Sequence, residues 1–438
     1  MQSNNKIGFW TLTSLVIGSQ IGSGIFLLPA NLSVFGAIGL TSWFITATGA
    51  ILLATVFAKL SARIPKTGGP HTFIQTAFNP TLGFFAAWTY WTISWLSTPM
   101  VLISVVGYLT PLFGNTDPII NLMLEILILL SITVLNLSGI KSAGLIEFFL
   151  TILKLLPLII VPCAGLFFMH PEHFVPFNPT PHSTLSVLNA AALLTLWGFI
   201  GMESATTPAE SVINPKKTIP KAIIIGTLVV AIVYVFCNFV IMGVVPPDVL
   251  AHSKAPFADA AQRIFGGSWY LIISVAASVV CLGTLNAWIL TSGQIALGAA
   301  YDGHLPKLFT IKNKQGAPKW AITISSLGII PILIVTLQQD LIAQVNQLID
   351  VSVTAFLFIY VLSVFSFLRL FWRDPITHKI DHVSVLIGIG ALFFCGWALF
   401  SSGITMVFMA LMITLAGVPI YWWKKKARSR FKYFLLEK

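Results

Sequence analysis

"IGSQIGSGIFLLPAN", residues 17–31, places Ser19, Gln20, Gly22, Ser23 and Gly24 at the centre of an apolar segment, with Pro29 just after. Such a centre makes a poor helix, since each interior glycine costs about 1 kcal/mol against alanine. In hydrocarbon the difficulty is greater, because every freed backbone N–H and C=O must find a partner. An interruption of this kind is tolerable at membrane depth only where the freed backbone lines a cavity or meets a ligand.

The rest of the chain supplies the membrane. Of 438 residues, 56% are hydrophobic and 9% charged, against about 25% charged in an ordinary soluble domain. Apolar runs such as 122–135 and 223–245 alternate with short polar clusters, the pattern of repeated spanning helices. Twelve spans are expected, at 9–34, 38–61, 80–112, 118–139, 143–169, 186–209, 222–246, 268–300, 319–338, 343–368, 382–402 and 404–423. The opening MQSNNKIGFW lacks a charged region followed by a cleavage site, so the first span is read as retained.

Charge then fixes the orientation. With the N-terminus inside, 22 of the 25 basic residues fall on the cytoplasmic side, leaving Lys254 and Arg263 outside and Lys154 within a span. That asymmetry is the positive-inside pattern, so the net charge of +11 sets topology and does not point to nucleic acid. Both termini are expected in the cytoplasm. Cys163, Cys237, Cys281 and Cys395 all lie in apolar runs without disulfide or metal spacing. The eight histidines fall mostly in loops without metal-like spacing, so neither a cofactor nor a metal is expected, and a membrane-embedded enzyme is disfavoured.

A second interruption, LWGFIGMESATTP at 196–208, again ends in a proline, Pro208. Five spans separate the two, so 9–169 and 186–368 read as inverted repeats, with 382–423 and a basic tail, 424–438, outside them. The fold class expected is all-α integral membrane, a five-plus-five inverted repeat of one domain with discontinuous spans 1 and 6. Paired interruptions in inverted halves mark the central site of a transporter. A broken helix offers N–H groups that attract an anion and C=O groups that attract a cation. Two such breaks together suit a zwitterion, the α-carboxylate and α-amino groups of an amino acid. The competing reading of the glycines and serines is a hinge or a packing face between helices.

With GSGIFLLP (22–29), TLWGFIGMESA (195–205), VINPKKTIPKA (212–222) and APFADAAQRIFG (255–266) in view, the chain resembles the amino acid–polyamine–organocation family. Within it the likeness is to the bacterial arginine/agmatine and putrescine/ornithine antiporter branch. The resemblance implies a carboxylate cradle at Ser23 and the backbone of Gly24. It also implies an ammonium cage of carbonyls around Gln20, Trp197 and Ile200. Trp197 becomes the middle gate, Trp288 the ring stacked on the substrate side chain, Ser352 a polar position on span 10, and Tyr90, Glu203 and Tyr360 further gate residues. Where the arginine antiporter carries small or amide residues around the guanidinium, this chain has Ile93, Ser94 and Thr98, and Gln20 replaces an apolar residue. These departures speak against arginine as the specific substrate and leave amino-acid recognition intact.

Ionisable groups inside spans carry functional weight, because charge there costs at least about 2.5–3.5 kcal/mol. Glu203 follows the second break. Lys154 lies midway along span 5, where proton-dependent members of the family carry a lysine in the place that sodium fills in sodium-coupled relatives. Both are candidates for proton coupling. Glu125 is read as structural, and Glu147 and Asp350 as lying near span ends. The activity implied is secondary transport of amino acids in a bacterial inner membrane, by amino acid/amine antiport or proton-linked transport through alternating access. The partners are then an amino acid or its amine, protons and the lipid bilayer, with a homodimer left open. The alternatives are a proton-coupled symporter for neutral or cationic amino acids and, remotely, a channel, which would need a continuous polar pore.

Overall fold

The computed structural model describes residues 6–22, 24–113, 117–253, 255–336, 341–372 and 380–424. Among them every regular element is helical, with two isolated bridges, Ile7 to Val212 and Lys312 to Pro318. The first span is two helices, α1 (Phe9–Gln20) and α2 (Gly24–Ser33), bent by 41° at the predicted interruption. Then follow α3 (Ile38–Arg63), the short α4 (Pro70–Ala77), α5 (Pro80–Leu96), α6 (Thr98–Phe113), α7 (Pro118–Leu137) and α8 (Ile140–Gly165). The second half runs through α9 (Thr184–Leu196), α10 (Pro215–Val244), α11 (Pro247–Ala251), α12 (Pro256–Phe265), α13 (Trp269–Tyr301), α14 (Lys319–Thr336) and α15 (Leu341–Phe371). Helices α16 (His382–Ser401) and α17 (Ile404–Leu415) close the chain.

Ten helical segments among the described residues are long and apolar enough to cross a membrane, and the bent pair α1–α2 makes an eleventh. The stretch Lys319–Val335 is a shorter apolar helix. Local chemistry sets their starts. Proline stands in the first turn of α5, α7 and α10, where its missing N–H is not needed. The side chains of Asn79 and Asp117 cap α5 and α7 by accepting from Leu82 N and Ile119 N. Between α5 and α6, Pro99 cannot donate to the helix, and the chain turns at Ser97.

Large apolar side chains face outward, Phe167 and Phe400 nearly fully exposed among them. In water that surface would be a liability; in lipid it is the solvent-facing side. The interior packs its own apolar side chains, Trp43, Phe57 and Phe356 among them, and lets the helices approach through small residues and hydroxyls. Gly226 of α10 lets Val16 of α1 approach so closely that an added Cβ would lie 2.7 Å from it. Thr46 of α3 hydrogen-bonds Thr195 of α9 at 3.0 Å. Both are devices for joining helices where lipid removes the hydrophobic drive. The result places both breaks at the centre, with α1 against α8, α10 and α13.

Candidate functional site

The site is built from the carbonyls that the first break leaves without helical partners. Helix α1 stops at Gln20, and Ile21 is extended at φ −79°, ψ 100°. Four successive carbonyls then accept from side chains on other helices. Gly18 O accepts from Lys154 Nζ at 3.1 Å, Ser19 O from Trp288 Nε1 at 3.1 Å and Gln20 O from the Tyr234 hydroxyl at 2.9 Å. Ile21 O accepts from Thr284 Oγ1 at 2.6 Å and from Lys154 Nζ at 3.2 Å. Helices α8, α10 and α13 thus complete the hydrogen bonding of α1, which hydrocarbon could not do.

The second break lies beside the first. After α9 a 3₁₀ turn, Trp197–Phe199, leads to extended Ile200 and then to Gly201 at φ +105°, a left-handed conformation that glycine adopts without penalty. A Cβ on Gly201 would lie 2.9 Å from Ser19 Oγ, and that hydroxyl donates to Gly201 O at 2.9 Å. Between the breaks is a cavity with about 30 Å³ of room for water centres, lined by Gln20, Gly22, Gly24, Ser97, Thr98, Trp197, Ile200, Thr284 and Trp288, with Ser19 and Val101. No charged side chain is among these. Trp197 lies over Gly24, where an added Cβ would be 3.0 Å from the indole.

Six expected binding residues therefore converge: Gln20, Gly24, Thr98, Trp197, Ile200 and Trp288. Ser23 lies outside the described residues. Ser352 is buried on α15 but does not line the cavity. The expected carbonyl cage is partly filled by the protein itself, since Tyr234 already bonds Gln20 O. The Gln20 side chain compensates: its Nε2 donates to Val16 O at 3.1 Å, leaving buried Oε1 as an acceptor without a protein partner.

The three expected gate residues also meet. Tyr90 donates to Glu203 Oε1 at 3.0 Å and Tyr360 donates to Glu203 Oε2 at 2.6 Å, all three fully buried. Phe356 joins gate to cavity, with ring centroids 6.0 Å from Tyr90 and 5.5 Å from Trp288. Neither Phe356 nor Tyr234 carries a sequence signal of its own, since an aromatic in an apolar run reads as packing.

One expectation is overturned. Glu147 is not near a span end: α8 begins earlier than expected, at Ile140, and Glu147 is fully buried with Oε1 3.8 Å from Lys154 Nζ. Its spacing of seven from Lys154 puts both on one helix face, a signal present in the sequence. Asp350 is exposed but lies nine residues into α15, further from its start than expected, and Glu125 is buried on α7.

Aromatic closure around a small central cavity, backed by a bonded carboxylate, suits a carrier that occludes its cargo rather than an open pore; the class is a secondary transporter. The chain belongs to the amino acid permease family, whose model matches residues 7–423. It is 30% identical over 421 residues to the putrescine transporter PotE of Haemophilus influenzae, covering 95% of this chain and 97% of the relative. It is 27% identical over 457 residues to a putative arginine/ornithine antiporter of Bacillus subtilis, covering 96% and 97%. It is 32% identical over 336 residues to a cadaverine/lysine antiporter of Escherichia coli, covering 76% of each. These relatives are transporters and antiporters, not enzymes, and the chain is a multi-pass membrane protein of the same kind.

Proposed function

We propose that the protein exchanges amino acids, or an amino acid for its related amine, across a bacterial inner membrane by alternating access. Twelve spans in a five-plus-five inverted repeat, with both termini cytoplasmic, form the frame. The carboxylate is held at Ser23 and the Gly24 backbone, and the ammonium by Gln20 and the carbonyls near Trp197 and Ile200. Trp197 occludes the bound substrate, Trp288 packs on its side chain beside Thr98, and Ser352 tunes span 10. Tyr90, Glu203 and Tyr360 close the cytoplasmic path. The observation that carries this reading is the convergence of both breaks on one cavity lined by Gly24, Trp197 and Trp288. The names of two relatives support paired substrates, lysine with cadaverine in one and arginine with ornithine in the other. In a proton-linked version the proton would reside on Lys154 or Glu203.

Counterflow in liposomes tests the proposal. Labelled amino acid should enter vesicles preloaded with unlabelled amino acid or amine, without sodium, and should not enter empty vesicles at the same rate. Uptake that ignores the internal load would sink the exchange reading and favour the proton-coupled symporter.

A further inference from the structure

Lys154 and Glu147 form a buried pair that lines neither the central cavity nor the Tyr90–Glu203–Tyr360 cluster. Lys154 Nζ reaches Gly18 O, Ile21 O and Thr284 Oγ1, and Glu147 Oε1 lies 3.8 Å away. Glu147 is itself fixed: Asn286 Nδ2 donates to Oε2 at 2.7 Å, Thr151 Oγ1 lies 3.3 Å from Oε1, and Asn136 Nδ2 donates to Asn286 Oδ1 at 2.9 Å. Two glycines make the room. A Cβ on Gly18 would lie 1.8 Å from Glu147 Oε1, and one on Gly283 would lie 2.9 Å from Lys154 Nζ. Cys281 of α13 is the titratable group beside Lys154; Cys237 of α10 bonds Leu158 O, further along α8. Helix α1 presents carbonyls, and α7 an amide; α12 meets α8 at Gly165 through Ile264, while its Asp259 bonds Ser253.

We infer that Glu147 is a positioning residue that keeps Lys154 charged throughout the cycle, so that the ammonium is a fixed pin across the first break and not the coupling proton carrier. The geometry gives the reason. In the inferred cycle, opening the site toward the cytoplasm moves the α1 half-helix and breaks the contacts to Gly18 O and Ile21 O. Glu147 stands on the same helix as Lys154 and moves with it, so the ammonium keeps its counter-charge when it loses its carbonyls. A lysine with a travelling carboxylate has no step at which shedding its proton is favoured, because that would leave a buried carboxylate with hydrogen bonds from Asn286 and Thr151 but no counter-charge.

The inference rests on the transport reading, and native counterflow separates the two: without any exchange, that reading fails first. Given exchange, the Glu147→Gln variant removes the counter-charge while keeping shape, and its exchange rate should fall about tenfold or more from about pH 6 to about pH 8.5 as the unpaired ammonium loses its proton. Native protein over the same range should change less than about twofold, and Glu147→Asp should follow the native profile. Equal pH profiles for native and Glu147→Gln overturn the inference. Should Glu147→Gln fail to fold, native vesicles containing a pH-sensitive dye decide it. Exchange should move no protons through Lys154, and a proton flux abolished by Lys154→Ala but retained in Glu203→Gln overturns the inference.

Discussion

At Glu203 both carboxylate oxygens accept from tyrosines, so the proposed gate would be held by hydrogen bonds that each tyrosine can release separately. Tyr360→Phe removes one of the two tyrosine donors to a buried carboxylate, a cost of about 1–3 kcal/mol borne by this arrangement. Its expected effect is faster leak of substrate through the cytoplasmic side with little change in affinity, read by efflux from preloaded vesicles. Trp288→Leu removes an indole that both donates to Ser19 O and faces the cavity. Loss of that hydrogen bond and of aromatic contact is worth about 1–2 kcal/mol, so binding should weaken about tenfold, most for any cationic substrate, as a competition assay would show. Trp197→Leu should instead slow turnover more than it weakens binding, because a lid acts on passage between states. Equal effects of both tryptophan changes on affinity and rate would contradict this division of roles.

Among the elements, the two breaks were legible because Gly/Ser interruptions recur five spans apart, each followed by a proline, Pro29 and Pro208. The partners that complete them were not. Thr284 and Tyr234 bond the carbonyls of α1 from α13 and α10, and nothing local in either helix marks a hydroxyl aimed at a distant backbone. Glu147 was misread because the start of α8 was placed too late, which moved a buried carboxylate toward the surface. At the second break, Gly201→Ala would force an alanine to φ +105° and press its Cβ on Ser19, a strain of about 1–2 kcal/mol or more. Exchange should drop sharply and the melting temperature fall, whereas Gly266→Ala, strained alike but meeting no atom within 4 Å, should leave exchange intact. A further contact ties α4 to the end of α13, where His71 Nε2 lies 3.4 Å from Asp302 Oδ2. Burial pushes the Asp302 carboxyl up, but His71, His304 and Lys66 outweigh it and hold it below its ordinary value. A lowered folded value means the stabilisation is present above the ordinary aspartate pKa, about 3.9, and is lost as pH falls below it. Asp302→Asn should therefore lower the melting temperature at neutral pH, with the difference shrinking below about pH 4.

For the whole molecule, the arrangement resolves one requirement: a zwitterion must leave water for lipid depth without leaving either charge unmet. In the proposed site the helix breaks offer backbone dipoles for both ends, and α8, α10 and α13 hold the broken backbone in place. On the proposed reading such a frame would recognise the α-amino acid head and leave the side chain to Trp288, Thr98 and Val101, so related substrates would differ mainly there. The most direct measurement is binding to the purified protein of one transported amino acid, its decarboxylated amine, and the matching acid that lacks the amino group. Losing either head group should weaken binding at least about tenfold, the loss of about 1.4 kcal/mol or more expected for one charge-assisted contact. An amine that binds as tightly as its parent amino acid would contradict a carboxylate site at the first break.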